Sequence, residues 1–201
     1  GFPEEDGPRD ILEAAARATL DGPNQYPPMR GLPELRQAVG THYKAHHNID
    51  LDWQREVTIT SGATEAIAAA LLAFIEPGDE VVLFEPLYDA YLPMVRRAGG
   101  LPRIVRLAPP HWRFEFETVA AAFSDKTRVV VINTPLNPSA SMMSREELAM
   151  LAELCLQHDA IVVSDEVWEH VTFHGRAHVS MLELLRERTL KIGSAGKMFS
   201  L

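Results

Sequence analysis

The chain has 201 residues, 46% hydrophobic and 23% charged, an ordinary globular composition for one domain or one domain plus part of another. Its 19 basic and 28 acidic residues leave a formal charge of −9, which argues against nucleic-acid binding through clustered Lys and Arg. No apolar run approaches the ~20 residues that span a bilayer, and the single cysteine, Cys155, excludes an internal disulfide and points to a reducing, cytoplasmic compartment.

Residues 1–50 are Pro-rich at Pro8 and Pro27-Pro28. They predict an arm with one helix, from Pro33 to about His46, rather than a separate fold. From position 57 onward, short β-rich runs alternate with helical patterns. Val57–Thr60 reads as a strand and Thr64–Ile75 as an alanine-rich helix, closed by the turn Glu76-Pro77-Gly78-Asp79. Val81–Phe84 predicts a second strand, Tyr88–Ala98 a helix, Arg103–Leu107 a third strand and Phe116–Phe123 a helix. Arg128–Asn133 reads as a fourth strand. Ser144-Arg145-Glu146-Glu147 forms a capping box opening a helix to about His158. Ala160–Ser164 and Leu190–Gly193 complete the strands. Near-continuous Val/Ile runs suit strands buried on both faces, so residues 51–201 predict an α/β layered domain with a mostly parallel sheet. Ligands of such sheets gather at the carboxyl ends of the strands.

Four segments at such ends carry chemistry. Ser61-Gly62-Ala63-Thr64 opens a helix after a strand, where backbone N–H groups and the helix dipole favour an anion; small residues for packing give the same pattern. Asn133-Thr134-Pro135-Leu136-Asn137-Pro138 is a loop stiffened by proline, either a plain turn or a mount for an asparagine donor. In Ser164-Asp165-Glu166-Val167-Trp168, an acid ends an apolar strand, as a cap or as the partner of a buried cation such as a protonated pyridine. Ser194-Ala195-Gly196-Lys197 offers a lysine for a Schiff base, a Ser-x-x-Lys acyl-transfer pair with Ser194 as nucleophile, or a surface lysine.

Taken in order, these segments resemble the fold type I, class I/II pyridoxal-phosphate (PLP) aminotransferases, most closely the kynurenine/methionine/glutamine branch. Gly1-Phe2-Pro3, Gln25-Tyr26, Arg30-Gly31-Leu32-Pro33-Glu34-Leu35-Arg36, Ser61–Ala66 and Glu85-Pro86-Leu87-Tyr88-Asp89-Ala90-Tyr91 extend the likeness over essentially the whole chain. The resemblance implies a fold type I large domain with flanking helices and an N-terminal arm. It implies that Lys197 holds PLP in a Schiff base and moves the substrate α-proton, and that Asp165 holds the pyridine N–H. Asn137 would bond the ring hydroxyl oxygen and the substrate carboxylate, and Tyr88 would stack on the ring. Gly62, Ala63, Thr64 and Ser194 would bind the phosphate. Tyr26 would reach the phosphate of a second subunit, implying a homodimer, and Gly1 would lie at the substrate carboxylate. The reaction implied is amino transfer from an amino acid to a 2-oxo acid, with no metal, nucleic acid or membrane involved. A cysteine-conjugate C–S β-lyase on the same site, or a degenerate aminotransferase-like binding domain, are the alternatives.

Two positions depart from the family pattern. Trp168 stands where the family has a Tyr bonding the ring oxygen, and an indole donates but cannot accept. Ser139-Ala140 replaces Thr-Gly, mild at negative φ and harmful at positive φ. Family members are about twice as long, so the chain reads as a fragment whose late small domain, with its carboxylate-binding arginine, is absent. His42 and His46, and likewise His170, His174 and His178, read as surface histidines; Cys155 reads as core, and Trp53 and Trp112 as packing aromatics.

Overall fold

The computed structural model describes residues 6–199. It divides into two compact units, one of residues up to 62 together with those from 194 onward, the other of residues 63–193.

The first unit holds α1 (Arg9–Asp21), α2 (Pro33–His47) and α3 (Trp53–Glu56). Helix α1 departs from the sequence expectation of an arm with one helix. Its run of Ala, Leu, Glu and Arg favours helix, Arg9 and Glu13 pair at 3.0 Å one turn apart, and it ends at Gly22, whose N–H reaches Ala18 O at 3.0 Å. No residue of α1 is buried. Around α2 the fixed point is Arg36, whose buried guanidinium donates to Val57 O at 2.9 Å, Trp53 O at 2.9 Å and Gln54 O at 2.7 Å. These bonds explain why 57–60, expected to be a strand, is extended but unpaired with any sheet. Val57 O is taken by Arg36, and Ile59 N–H by Arg30 O at 3.0 Å.

The second unit is a five-stranded, wholly parallel sheet of β1 (Glu80–Glu85), β2 (Leu101–Arg106), β3 (Thr127–Asn133), β4 (Ile161–Asp165) and β5 (Thr189–Ile192). The order β2-β1-β3-β4-β5 places a topological switch between β1 and β3, where connections leave in opposite directions. Alternate residues of each strand serve opposite faces. Val81, Leu83, Val129, Val131 and Val163 pack under α4 (Gly62–Phe74) and α5 (Tyr91–Arg97). Val82, Phe84, Val130, Ile132 and Val162 pack under α6 (Phe116–Ala120), α7 (Arg145–Gln157) and α8 (Leu182–Leu185). Leu71 and Leu148, one on each side, are fully buried, and each burial contributes about 2 kcal/mol. Cys155 belongs to the second cluster, and burial pushes its thiol up to about 12. The α/β fold expected from the sequence is present, with an α-β-α layering that leaves the strand ends free for a site. Helix α5 begins at Tyr91 rather than Tyr88, because a turn at Asp89-Ala90, closed by the Tyr91 N–H bond to Tyr88 O at 3.2 Å, delivers it. The last helix, α9 (Ala195–Met198), follows β5 and belongs to the first unit. Among the described residues, no helix is long and apolar enough to cross a membrane.

Candidate cofactor site

The end of β4 sets the site. Period-two alternation carries Asp165 to the side of Val163, toward α4 and α5, and turns Ser164 and Glu166 to the other side. Asp165 is 4% exposed. Its Oδ2 accepts a hydrogen bond from the Tyr91 hydroxyl, and its Oδ1 accepts from Val167 N–H at 3.3 Å. Burial pushes its carboxyl above the ordinary carboxylate range; the Tyr91 and Val167 donors oppose that rise, the Glu166 charge adds to it, and Lys191 opposes it. Tyr91 stays a phenol, because burial and then the Asp165 charge lift its ionisation well above the usual range.

The neighbouring loop is tied to the same strand end. Asn133, paired in register with Asp165 at the end of β3, donates from Nδ2 to Asp165 O at 2.9 Å, and Thr134 N–H reaches the same oxygen at 3.0 Å. The Asn133 Oδ1 accepts from Asn137 N–H at 2.7 Å. One buried amide therefore fixes the loop bearing Asn137 against the strand bearing Asp165. Ala140, further along this loop, is exposed with φ 56, the left-handed conformation in which an alanine is disfavoured. Tyr88 precedes α5, its ring edge-on to Tyr91 at 5.5 Å between centroids and 75° between planes. Trp168 lies three residues beyond β4 in a turn, half-buried.

Glu166 has a different task. It is wholly buried and accepts from Ser164 Oγ at 2.6 Å and Met181 N–H at 3.1 Å, with His178 Nε2 at 2.8 Å. The His178 side chain is 4% exposed, so it is a buried partner of Glu166 and not the surface histidine expected from the sequence. Nearby, Lys191 and Glu169 form a second buried pair at 2.6 Å.

At the start of α4, Ala63 and Thr64 lie in the first turn, where helix N–H groups have no intrahelical acceptor. Gly62 adopts φ 76 and a Cβ there would meet nothing within 4 Å. Glycine is needed at this junction for its backbone angle, not for packing. In the first unit, Ser194 caps α9 by accepting from Lys197 N–H at 3.3 Å, and Lys197 is half-buried. Tyr26 is fully exposed. Gly1 lies outside the described residues.

A pyridoxal group fits what the second unit offers. A carboxyl buried against its own preference is relieved by a protonated ring nitrogen. An aromatic ring, an asparagine loop and a helix N-terminus supply the remaining contact types. Two residues without an assigned role in the sequence reading, Tyr91 and Asn133, hold these groups. Tyr91 stands three residues after Tyr88, and Asn133 is the polar end of an otherwise apolar strand; those were their only signals.

Comparison with known proteins gives a consistent result. The family model for aminotransferase class I and II matches residues 2–201. The chain is 40% identical to the methionine aminotransferase of Escherichia coli, over 99% of this chain and 52% of that protein. The solved structure of that enzyme superposes with a TM-score of 0.96. The solved N-succinyldiaminopimelate aminotransferase of Mycobacterium tuberculosis is 42% identical, with a TM-score of 0.96 over 99% of this chain and 53% of that one. Kynurenine–oxoglutarate transaminase 3 of Rattus norvegicus is 35% identical over 100% of this chain and 47% of its own length. The chain thus spans about half the length of the curated relatives it matches.

Proposed function

The chain belongs to the class I and II aminotransferases, and from that premise we propose that it supplies the cofactor site of an enzyme moving an amino group from an amino acid to a 2-oxo acid with pyridoxal phosphate. The reading takes residues 51–201 as the large domain and 1–50 as arm and entry helix. It is carried by one observation: Asp165, an acid 4% exposed, at the carboxyl end of an interior parallel strand.

Pyridoxal phosphate, when bound, supplies an electron sink for the pair left on the substrate α-carbon as its proton departs. Asp165 would keep a proton on the ring nitrogen, which maintains the pull of that sink. Asn137 would donate from its side-chain amide to the ring oxygen and assist with the substrate carboxylate. Trp168 Nε1–H can donate on the same side, but unlike a phenol it cannot accept. Tyr88 would cover the ring face and exclude water from it. Gly62, Ala63 and Thr64 would give N–H groups to the phosphate, and Ser194 its hydroxyl. Lys197 Nζ would anchor the cofactor and then carry the proton taken from the substrate α-carbon. Tyr26, fully exposed, would reach the phosphate bound by a second copy. Gly1 would lie at the substrate carboxylate. The protein is accordingly read as a cytoplasmic homodimer acting on free amino acids and 2-oxo acids.

The test is spectroscopic. Full-length protein loaded with pyridoxal phosphate should show an absorption band at the edge of the visible, and borohydride should fix the cofactor to Lys197. Lys197→Ala should remove both the band and the labelled peptide. A band of undiminished intensity in Lys197→Ala contradicts the assignment.

A further inference from the structure

We propose that Tyr91 is a positioning residue whose hydroxyl orients the Asp165 carboxylate and weakens its basicity, so that the proton shared with the cofactor stays on the ring nitrogen. The inference rests on the reading of Asp165 given above and adds a residue acting through it.

The geometry is specific. Tyr91 is 3% exposed and is the first residue of α5, with its ring in the apolar cluster that includes Ile67, Leu83 and Val163. Its hydroxyl donates to Oδ2 of Asp165, while Val167 N–H takes Oδ1. A carboxylate held at both oxygens by donors on different segments cannot rotate freely. Each oxygen keeps a further lone pair for a ring N–H. Packing alone calls for an aromatic ring at position 91, which phenylalanine would satisfy. The hydroxyl is there for Asp165, because a buried hydroxyl requires a partner and this is the partner it has.

The electrostatics give the bond its direction. Asp165 faces the charge of Glu166, which makes it a stronger base, and Lys191, which makes it weaker; Tyr88 stands beside Tyr91. Lys191 is itself paired with Glu169 at 2.6 Å, which blunts its effect. Burial favours a neutral Asp165 most of all. A neutral Asp165 would have drawn the shared proton off the ring nitrogen and weakened the electron sink. The Tyr91 donor works against that outcome, since a hydrogen bond to the charged form favours it. The same turn also carries Tyr88, linked through the Tyr91 N–H bond to Tyr88 O at 3.2 Å. One short segment therefore presents a ring to the face of the cofactor and a hydroxyl to its acid.

The experiment uses full-length protein loaded with pyridoxal phosphate labelled with nitrogen-15 in the ring. In the unsubstituted protein the ring nitrogen should show the shift of a protonated pyridine. In Tyr91→Phe that shift should move toward the unprotonated value, and the Asp165 carboxyl of cofactor-free protein, followed by carbon-13, should titrate at higher pH. Cofactor affinity should fall about tenfold, as for loss of a hydrogen bond to a charged group. Should Tyr91→Phe fail to fold, 2,3-difluorotyrosine at position 91 decides the matter. As a stronger donor of the same shape, it should lower the Asp165 titration. An unchanged ring shift and an unchanged Asp165 titration in the folded variant overturn the role of Tyr91. A ring nitrogen that is unprotonated in the unsubstituted protein, and indifferent to Asp165→Asn, would instead overturn the reading of Asp165 itself.

Discussion

Asp165 and Glu166 are adjacent acids on one strand end, and alternation gives them opposite surroundings. Asp165 meets a phenol and one backbone N–H; Glu166 meets Ser164, His178 and Met181 N–H, a set that binds the strand to the segment beneath it. Another single-residue consequence lies at Ala140, held at φ 56 and exposed. An L-residue there carries about 1–2 kcal/mol of strain, partly offset by the lower entropy of the unfolded alanine chain. Ala140→Gly is therefore expected to stabilise the protein by about 0.5–1 kcal/mol, seen as a higher urea midpoint with an unchanged slope; a lower midpoint contradicts the strain. Asp165, Asn137 and Lys197 stood out in the sequence because each is a polar group placed just beyond an apolar strand or within a stiff loop. Tyr91 did not, since its partner is 74 positions away and only the fold joins them. His178 misled for the same reason: with Gly175 and Val171-Thr172-Phe173 ruling out one helix it read as a surface histidine, whereas Glu166, twelve positions earlier, holds it inside.

At the scale of elements, local chemistry was readable wherever it was self-contained. The capping box on α7 is complete: Ser144 Oγ accepts from Glu147 N–H at 3.2 Å, and Glu147 accepts from Ser144 N–H at 2.8 Å. Glu147 also pairs with Arg113, so the cap ties α7 to the loop after β2. Ser144→Ala should cost about 1 kcal/mol, read as a lower urea midpoint, whereas Ser144→Asp, which keeps the acceptor, should lose little; equal losses from both would remove the cap as the cause. The strand expected at 57–60 failed because β-propensity fixes an extended backbone but not a partner, and Arg36 supplies the partner instead. Helix α1 was hidden by the prolines around it. Its own signals were the helical repeat of Ile11, Leu12, Ala15 and Ala18 along one side and the closing Gly22, although none of its residues is buried.

On the scale of the whole molecule, the parallel sheet with helices on both faces leaves one edge, the carboxyl ends of β1, β3 and β4, where apolar strands stop and Tyr88, Asn137 and Asp165 begin. The sequence made that edge visible as a repeated change from Val/Ile runs to polar residues. The order of the strands, and hence the switch between β1 and β3, required the fold. Amino transfer is the chemistry proposed for this edge. The decisive measurement adds an amino acid alone to full-length protein saturated with pyridoxal phosphate and quantifies the products of a single turnover. Close to one 2-oxo acid per active site is expected, with no free ammonia, and the starting absorption band should return when a different 2-oxo acid is added. Absence of any 2-oxo acid across a panel of amino acids, or release of ammonia and pyruvate from a cysteine conjugate with no band to restore, would contradict it.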